Sequence, residues 1–277
     1  MNDLFSEPLV LDAYGCSVVI DLPSRLVPLL LAALPPGYRR GLSDSAAQRG
    51  WRVSSAPDGS LQAFADGGVL VTHPDVAFVL EAVLSDIQLW VAEHSPERVF
   101  VHAGCVAFEG RALVLPGRTM TGKSTLVSAL VGAGATYLSD EYALMDDDGF
   151  VWPYARPLSL RSGSQPRMQP LEVSDVVAVP PQGRLPVGMI CALRYDPAAG
   201  WAVDELSQGE AVLSLIDNSV AARGRPEAVL SSLVAATEDV VAIKGTRDRA
   251  EVAAQRLLER ASTLGSTGTQ AFSSSAL

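Results

Sequence analysis

The sequence is poor in cysteine, and this absence excludes two common classes of small-domain architecture. Its three cysteines, Cys16, Cys105 and Cys191, lie far apart and include neither a C-x-x-C pair nor a Cys/His cluster. Neither a disulfide framework nor a zinc site is therefore expected. Each cysteine lies in an apolar, strand-like run, which indicates a place in the core.

Long apolar runs are absent as well. The longest strongly apolar segments, such as residues 27–34, are too short to cross a bilayer. The first residues do not show the positively charged segment followed by an apolar stretch that is typical of a secretory signal. We therefore expect no membrane partner and a cytoplasmic location.

Positive charge is scarce. The 277 residues include 21 Lys and Arg against 31 Asp and Glu, so the net charge is −10. Because nucleic-acid backbones are held by clustered basic residues, no nucleic-acid partner is expected. The composition, 48% hydrophobic and 19% charged, is typical of a globular protein with one large or two modest domains.

What the sequence does contain is a complete phosphate-binding (Walker A) motif. Residues 117–124, GRTMTGKS, match G-x-x-x-x-G-K-[ST] at every fixed position. An apolar run at 112–115 precedes the motif, and a helical stripe follows it, made of Leu126, Ala129, Leu130 and Ala133. Strand, glycine-containing loop and helix are the context in which this motif binds a nucleoside triphosphate, so we expect ATP and Mg²⁺ as cofactors.

Each part of the motif has a chemical task. Glycines let backbone N–H groups close around phosphate oxygens, and the helix N-terminus adds a favourable dipole. Lys123 is expected to bridge the terminal phosphates and Ser124 to ligate Mg²⁺. The expected nucleotide-binding residues are Gly117, Thr119, Thr121, Gly122, Lys123, Ser124 and Thr125.

Two acids follow the motif at a spacing that suits the same site. A short strand-like run ends in Asp140 and Glu141, and His102 lies on the strand before the motif's own strand. An isolated acid pair is better explained as a strand-end turn. Beside a phosphate-binding loop, one carboxylate is expected to bind metal and another to orient or deprotonate an attacking hydroxyl.

The order of His102, the loop at 117–124, and Ser139, Asp140 and Glu141 resembles the catalytic domain of HPr kinase/phosphorylase and its HPr-kinase-related relatives. The resemblance covers residues 98–150 and extends weakly to about 262. It implies an α/β fold, a P-loop kinase core with a mixed sheet. It also implies that Asp140 is the catalytic base, that Glu141 binds metal, and that His102 and Lys123 act beside them.

Two features differ from that family. The bacterial regulator has an Asp pair where this chain has Asp140 and Glu141, and its long Gly-Arg-Asn segment has only a faint counterpart around Arg223 and Arg225. Neither phosphorylase activity nor HPr as the acceptor is therefore expected. Members of the family assemble into rings, so a homo-oligomer is left open.

The pattern along the chain predicts two units and a tail. Residues 1–95 form a small α+β N-terminal unit that ends in an apolar-striped helix opened by Pro74. Residues 96–262 alternate strands with helices and form the catalytic domain. Residues 263–277, rich in Ser, Thr and Gly, are expected to be a disordered tail. Beyond the motif helix, helices are predicted at 209–218, with Asn218 as C-cap, and at 226–236 and 248–261.

Several other polar residues are open candidates. Arg156, Arg161 and Arg167 cluster in a Pro/Ser/Gly-rich segment, either as solvated loop residues or as substrate contacts. Arg223 and Arg225 allow the same two interpretations. Asp196, which precedes Pro197, is better explained as a turn residue than as a second metal ligand.

Two functions of different classes compete. The first is an ATP-dependent kinase (a phosphotransferase) that transfers the γ-phosphoryl group to a hydroxyl of a peptide, protein or small molecule. The second is a nucleotide-dependent switch, or a slow ATPase or GTPase, acting as a binding module. The chain lacks the N-K-x-D motif of GTPases. Adjacent Asp140 and Glu141 suit hydroxyl activation better than water activation, which favours the kinase.

Overall fold

The computed structural model describes residues 7–41, 47–117, 121–155, 159–161, 168–170 and 183–268. The chain divides into two compact units, Met1–Arg98 and Val99–Leu277. The sequence pattern places this boundary three residues earlier, after residue 95. Each unit has its own sheet, and the two are described separately.

The first unit is built on a six-stranded mixed sheet. The strands follow the spatial order β3-β1-β2-β4-β5-β6, with β2 and β4 parallel and all other neighbours antiparallel. A 3₁₀ turn, Ser24–Leu26, leads into the first helix. The elements are β1 (Leu9–Ala13), β2 (Cys16–Asp21), α1 (Val27–Ala32), β3 (Tyr38–Arg40), β4 (Arg49–Ser55), β5 (Leu61–Ala65), β6 (Gly68–His73) and α2 (Val76–His94).

Helix α2 covers the sheet of the first unit with the predicted apolar stripe. Asp75 caps its N-terminus by accepting a hydrogen bond from the Ala77 backbone N–H at 2.9 Å. The stripe is buried from Val79 to Val91 and packs against β2, β5 and β6. The period of 3.6 residues therefore predicted the buried face correctly.

The second unit is built on an eight-stranded mixed sheet. Its order is β11-β10-β7-β8-β14-β16-β15, with β9 also paired to β7, and only β8–β14 and β14–β16 are parallel. Strands β12 and β13 pair with each other, antiparallel, in a separate two-stranded sheet. The strands are β7 (Val99–Phe108), β8 (Arg111–Pro116), β9 (Thr136–Ser139), β10 (Tyr142–Met145), β11 (Val151–Trp152), β12 (Ser159–Arg161), β13 (Met168–Pro170), β14 (Val187–Tyr195), β15 (Ala202–Leu206) and β16 (Val241–Arg247).

Helices cover both faces of this sheet and make the unit a three-layer α/β structure. The helices are α3 (Lys123–Gly132), α4 (Gln208–Ile216), α5 (Pro226–Ala236) and α6 (Ala250–Gly268). One apolar cluster joins the sheet to α4 and α5, and a second joins the opposite side to α3 and α6. The structure thus confirms the α/β class and the mixed sheet.

Helix α3 sits close to β7 because Gly104 has no side chain. A Cβ on Gly104 would lie 2.6 Å from Cγ2 of Val127. Val127 is fully buried, whereas Ala133, which the sequence pattern placed on the buried stripe, is the exposed C-cap residue. The buried face of α3 is therefore rotated toward β7, because the glycine in the strand leaves room there.

Helix α6 continues six residues beyond 262, into the segment 263–268 that was expected to belong to a disordered tail. Two contacts explain the extension. The Ser262 hydroxyl donates to Oε1 of Glu109 at 2.9 Å, and Leu264 packs against the cluster beneath α3 and α6. Residues 269–277 lie outside the described part of the chain.

All three cysteines lie among the described residues and are buried, without a disulfide. Burial raises the pKa of Cys191 to about 12 and that of Cys105 further still. Both thiols are therefore protonated and unreactive at neutral pH, which fits the predicted core role. Within the described residues, no helix has the length and apolarity needed to cross a membrane.

Candidate functional site

The 117–124 loop joins β8 to α3 at the carboxyl edge of three parallel strands. Strand β8 ends at Pro116, its parallel neighbour β14 ends at Tyr195, and β16, parallel to β14, ends at Arg247, which pairs directly with Tyr195. The crevice beyond the carboxyl ends of parallel strands is the usual ligand site of α/β sheets. Residues 118–120 lie outside the described part of the chain, so the prediction for Thr119 falls outside it too.

Gly122 is the N-cap of α3 and adopts a left-handed conformation, with φ of 84°. Only glycine takes up this conformation without strain. The space beside it is also closed, because a Cβ would lie 2.7 Å from Nη2 of Arg247 and 3.3 Å from Cβ of Tyr195. The fixed glycine of the motif is thus required both by backbone conformation and by its neighbours.

The ends of β14 and β16 hold the carbonyl groups of the loop. The Tyr195 backbone N–H donates to the Thr121 carbonyl at 3.3 Å, and Nη2 of Arg247 donates to the Gly122 carbonyl at 2.7 Å. Arg247 is 2% exposed, donates from Nη1 to the Asp248 carbonyl at 3.0 Å and lies 5.4 Å from the Tyr195 ring centre. The carbonyls of Thr121 and Gly122 are thereby tied to the sheet.

Lys123 opens α3 and reaches back over the loop. Its Nζ donates to the Gly117 carbonyl at 2.5 Å. Partial burial lowers the pKa of Lys123, while the negative charge of Asp140 works in the opposite direction. An ammonium group held beside a carboxylate at the start of a helix is well placed to meet a phosphate group.

Asp140 and Glu141 interrupt a strand that runs along β7. Strand β9 pairs Ser139 with Cys105, and β10 pairs Tyr142 with His102, so the antiparallel register is the same on both sides of the acids. The sequence placed these acids at a strand end. They do follow directly on the end of β9, and because β10 begins immediately after them and pairs with the same strand β7, their backbone is held from both sides.

Asp140 is held by two hydroxyl groups. The Tyr137 hydroxyl donates to Oδ1 at 2.9 Å, and the Ser124 hydroxyl of the 117–124 loop donates a second hydrogen bond. Burial raises the pKa of Asp140, and the nearby negative charge of Glu141 acts in the same direction, whereas the two hydrogen bonds lower it. The result is a carboxylate more basic than an ordinary aspartate, directly linked to the loop.

Tyr137 acts only as a hydrogen-bond donor in this pair. Its side chain is 3% exposed, and burial, followed by the charge of Asp140, raises its pKa far above neutrality. The phenol therefore keeps its proton at any physiological pH. Asp140 is consequently held in one orientation by a fixed donor.

His102 lies on β7 at the same edge of the sheet, because β7 runs antiparallel to β8. Its ring is 4.6 Å from that of Tyr142, with which it pairs across the strands. Burial and the positive charge of Lys123 lower the pKa of His102, while the charge and backbone of Glu141 oppose this. The imidazole is therefore neutral at pH 7 and lies near both Lys123 and Glu141.

The residues present fit a magnesium ion through oxygen donors. Ser124 offers a hydroxyl, and Glu141 and Asp140 offer carboxylates at the same end of the loop. Among the residues the structure describes, no group of three or more His, Cys, Asp or Glu side chains is arranged to hold a metal. In proteins, Mg²⁺ is usually held by one or two carboxylates together with substrate phosphates and water.

Two of the remaining candidates make the contacts of a turn and of a helix end. Asp196 accepts hydrogen bonds from the backbone N–H groups of Ala198 and Ala199, as expected of a turn residue. Asn218 follows the C-cap Asp217, and its amide donates to the Ser214 carbonyl at 2.8 Å. The predicted C-cap was thus one residue late, although the side chain does bind a terminal carbonyl of the helix.

A substrate contact by any of the arginine candidates remains a prediction. Arg223 is exposed between α4 and α5, and Arg225 is the N-cap of α5. Arg161 lies in β12, for which only the backbone is described, and Arg156 and Arg167 lie outside the described residues.

Three residues at this site were missed by the sequence reasoning. Tyr137 precedes Asp140 by three positions, and Tyr195 and Arg247 each end a strand. A signal existed for Arg247, since a basic side chain at the end of an apolar strand in an acidic chain is unusual. Its role depends on the pairing of β14 with β16, which the sequence pattern did not provide.

A scan against models of known protein families finds no match for this chain. A search of the curated proteins also finds no similar sequence.

Proposed function

We propose that the protein is a kinase that uses ATP and Mg²⁺ to phosphorylate a hydroxyl group of a peptide, protein or small molecule. The observation that carries this proposal is the place of Asp140. Its carboxylate accepts a hydrogen bond from Ser124 of the 117–124 loop and lies near Lys123. P-loop proteins of both classes use an acid beside the loop for the metal, and a kinase also needs a group that directs the acceptor hydroxyl. With Glu141 assigned to the metal, Asp140 is left for that second role.

Binding of the triphosphate is assigned to the loop and the first turn of α3. Backbone N–H groups of the loop and the helix N-terminus face the phosphate oxygens, and Lys123 binds between the terminal phosphates. Ser124 and Glu141 hold the metal. Bound Mg²⁺ supplies positive charge that neutralises the phosphates and orients them.

Transfer is assigned to Asp140. The acceptor oxygen forms a bond to the γ-phosphorus while the bond from that phosphorus to the β-phosphate bridging oxygen breaks, and ADP leaves. The acceptor proton passes to the Asp140 carboxylate, whose raised pKa favours accepting it. Tyr137 keeps one carboxylate oxygen in place, and neutral His102 lies beside the pair without adding a second positive charge next to Lys123.

The resemblance to HPr kinase/phosphorylase supports the same assignment, since His102, the loop and the acid pair occur in that family's order. Glu141 in place of a second Asp argues for kinase activity without phosphorylase activity. The chain carries a net charge of −10, which favours neutral or basic acceptors on electrostatic grounds.

The test is transfer of labelled γ-phosphate from ATP and Mg²⁺ into a cell extract, with macromolecules separated from small molecules. We expect acceptor labelling by the natural protein, and the labelled fraction identifies the acceptor class. Asp140→Asn should retain ATP binding but lower the rate of transfer about 10²- to 10⁴-fold, the usual contribution of a general base.

Asp204→Asn is the matched control, because this exposed residue loses the same charge on β15, which lies at the opposite edge of the sheet from β10. It should transfer phosphate at the natural rate. Undiminished transfer by Asp140→Asn would remove Asp140 from the base role. Slow phosphate release without a labelled acceptor would instead favour the nucleotide switch or slow ATPase.

A further inference from the structure

We propose that a cleft beside Gly122, with the Tyr195 ring on its wall, binds the nucleoside of the nucleotide. This inference rests on the proposed function, because it assumes that the 117–124 loop binds the triphosphate. It assigns the base and ribose to residues outside the motif.

The cleft has a volume of about 440 Å³ and is lined in part by Gly122, Thr125, Tyr195, Arg247, Arg249 and Glu251. This volume falls within the roughly 300–1,000 Å³ typical of small-molecule sites. Two of the lining residues belong to the loop and the first turn of α3, so the cleft continues directly from the expected phosphate site. The others come from the end of β14 and from the connection between β16 and α6.

The orientation of the bound triphosphate follows from the motif. Lys123 and the metal-binding Ser124 meet the terminal phosphates, so the γ-phosphate lies near Asp140, which bonds to Ser124. The nucleoside must then leave the loop on another side. Thr125, the next residue after Ser124, is exposed and lines the cleft, which makes the cleft the place where the nucleoside emerges.

Tyr195 provides the surface on which a base is expected to stack. Its side chain is 52% exposed, although its backbone N–H is bound to the Thr121 carbonyl at 3.3 Å. The Arg247 guanidinium lies 5.4 Å from the ring centre. The ring is therefore anchored at its backbone and open to a ligand, and aromatic stacking is a common way to hold a base.

Charge on the cleft wall favours a neutral group over another phosphate. Arg247 is buried and already donates to the Gly122 and Asp248 carbonyls. Arg249 lies beside Glu251, with Nε and Oε2 separated by 4.0 Å. The basic side chains of the cleft are therefore balanced by carbonyl or carboxylate oxygens, as suits the polar but uncharged base and ribose.

The experiment compares two ligands by titration calorimetry in the presence of Mg²⁺. ATP carries the nucleoside, whereas inorganic tripolyphosphate carries only the phosphates. We expect Tyr195→Ala to weaken ATP binding about 5- to 100-fold, the range of one lost base-stacking contact. It should leave tripolyphosphate binding unchanged. Lys123→Ala should weaken both ligands, since Lys123 contacts phosphate.

Leu213→Ala is the control for loss of a large exposed side chain, because Leu213 is 60% exposed on α4 and does not line the cleft. It should bind both ligands normally. Equal ATP affinity of Tyr195→Ala and the natural protein would overturn the nucleoside site while leaving the kinase proposal intact. Failure of the natural protein to bind either ligand would instead overturn the proposed function.

Discussion

At the scale of single residues, the pKa values of Asp140 and His102 shift in opposite directions although the two side chains share one site. Burial disfavours the charged form of each, so it raises the pKa of the acid and lowers that of the imidazole. Lys123 pushes the His102 pKa further down. The site therefore combines a carboxylate able to accept a proton with a histidine that stays neutral, an arrangement that limits repulsion near Lys123.

The lowered pKa of His102 makes a prediction about stability. Between its folded pKa and the ordinary value of about 6.5, the unfolded chain binds more protons than the folded one, so stability falls as pH falls. Chemical denaturation between pH 8 and pH 5 should show a steeper loss of unfolding free energy for the natural protein than for His102→Gln. At pH 8 the imidazole is uncharged in both states, so the difference in unfolding free energy between the two proteins measures only the change in packing. Parallel pH profiles would show that His102 is equally protonated in both states.

At the scale of elements, the 117–124 loop depends on strands far away in sequence. Strands β14 and β16 end level with each other at Tyr195 and Arg247, and each donates a hydrogen bond to a loop carbonyl. Because the carbonyls of Thr121 and Gly122 are tied to the sheet, this end of the loop is held in place before any ligand arrives. Such preorganisation reduces the ordering cost of binding.

Arg247→Met is therefore expected to weaken both ATP and tripolyphosphate binding, by about tenfold or more. The change keeps a long side chain but removes hydrogen bonds from a charged donor, each worth about 1.5–3 kcal/mol. Titration of both ligands distinguishes this effect from that of Tyr195→Ala, which should weaken ATP alone. Arg184→Met, which removes ion pairs to Asp146 and Asp148 outside the loop, is the matched control. Normal tripolyphosphate affinity of Arg247→Met would show that the loop keeps its shape without this arginine.

At the scale of the whole molecule, each of the two units contains a large sheet of its own. The first unit, Met1–Arg98, contains β1–β6, and the residues assigned to catalysis and binding all lie in the second unit, Val99–Leu277. A ligand that binds only the folded second unit stabilises it by mass action, by about 2.7 kcal/mol at a concentration of 100 Kd.

Hydrogen exchange should reveal this division. Saturating ATP with Mg²⁺ is expected to slow amide exchange in the strands and helices of the second unit, most of all in β8, α3 and the ends of β14 and β16. Exchange in β1–β6 should change little, since the residues assigned to ATP binding all lie in the second unit and proteins often open in separate cooperative parts. Lys123→Ala at the same ATP concentration is the control, because this variant is expected to bind ATP weakly and so to show less slowing of exchange. Equal slowing in both units would show that they open together.

The sequence alone was informative wherever a function depends on local pattern. The 117–124 motif, the α2 stripe and the α/β alternation are read from neighbouring residues, because backbone phosphate loops and helix faces need fixed residue types at fixed spacing. By the same logic His102, Asp140 and Glu141 were recognisable as candidates. The extension of α6 through 263–268 was not, since it depends on Ser262 meeting Glu109 and Leu264 meeting the core.

Tertiary structure decided what surrounds these residues. The sequence determined that a phosphate-type loop with two following acids exists, since both lie in short continuous stretches. Only the fold set Asp140 between two strands that pair with β7 and brought the hydroxyl of Tyr137 to it. Only the pairing of β14 with β16 brought Tyr195 and Arg247 to Gly122. The reason is physical: strand pairing places Arg247 against Gly122, 125 positions earlier in the chain, and no local spacing encodes that meeting.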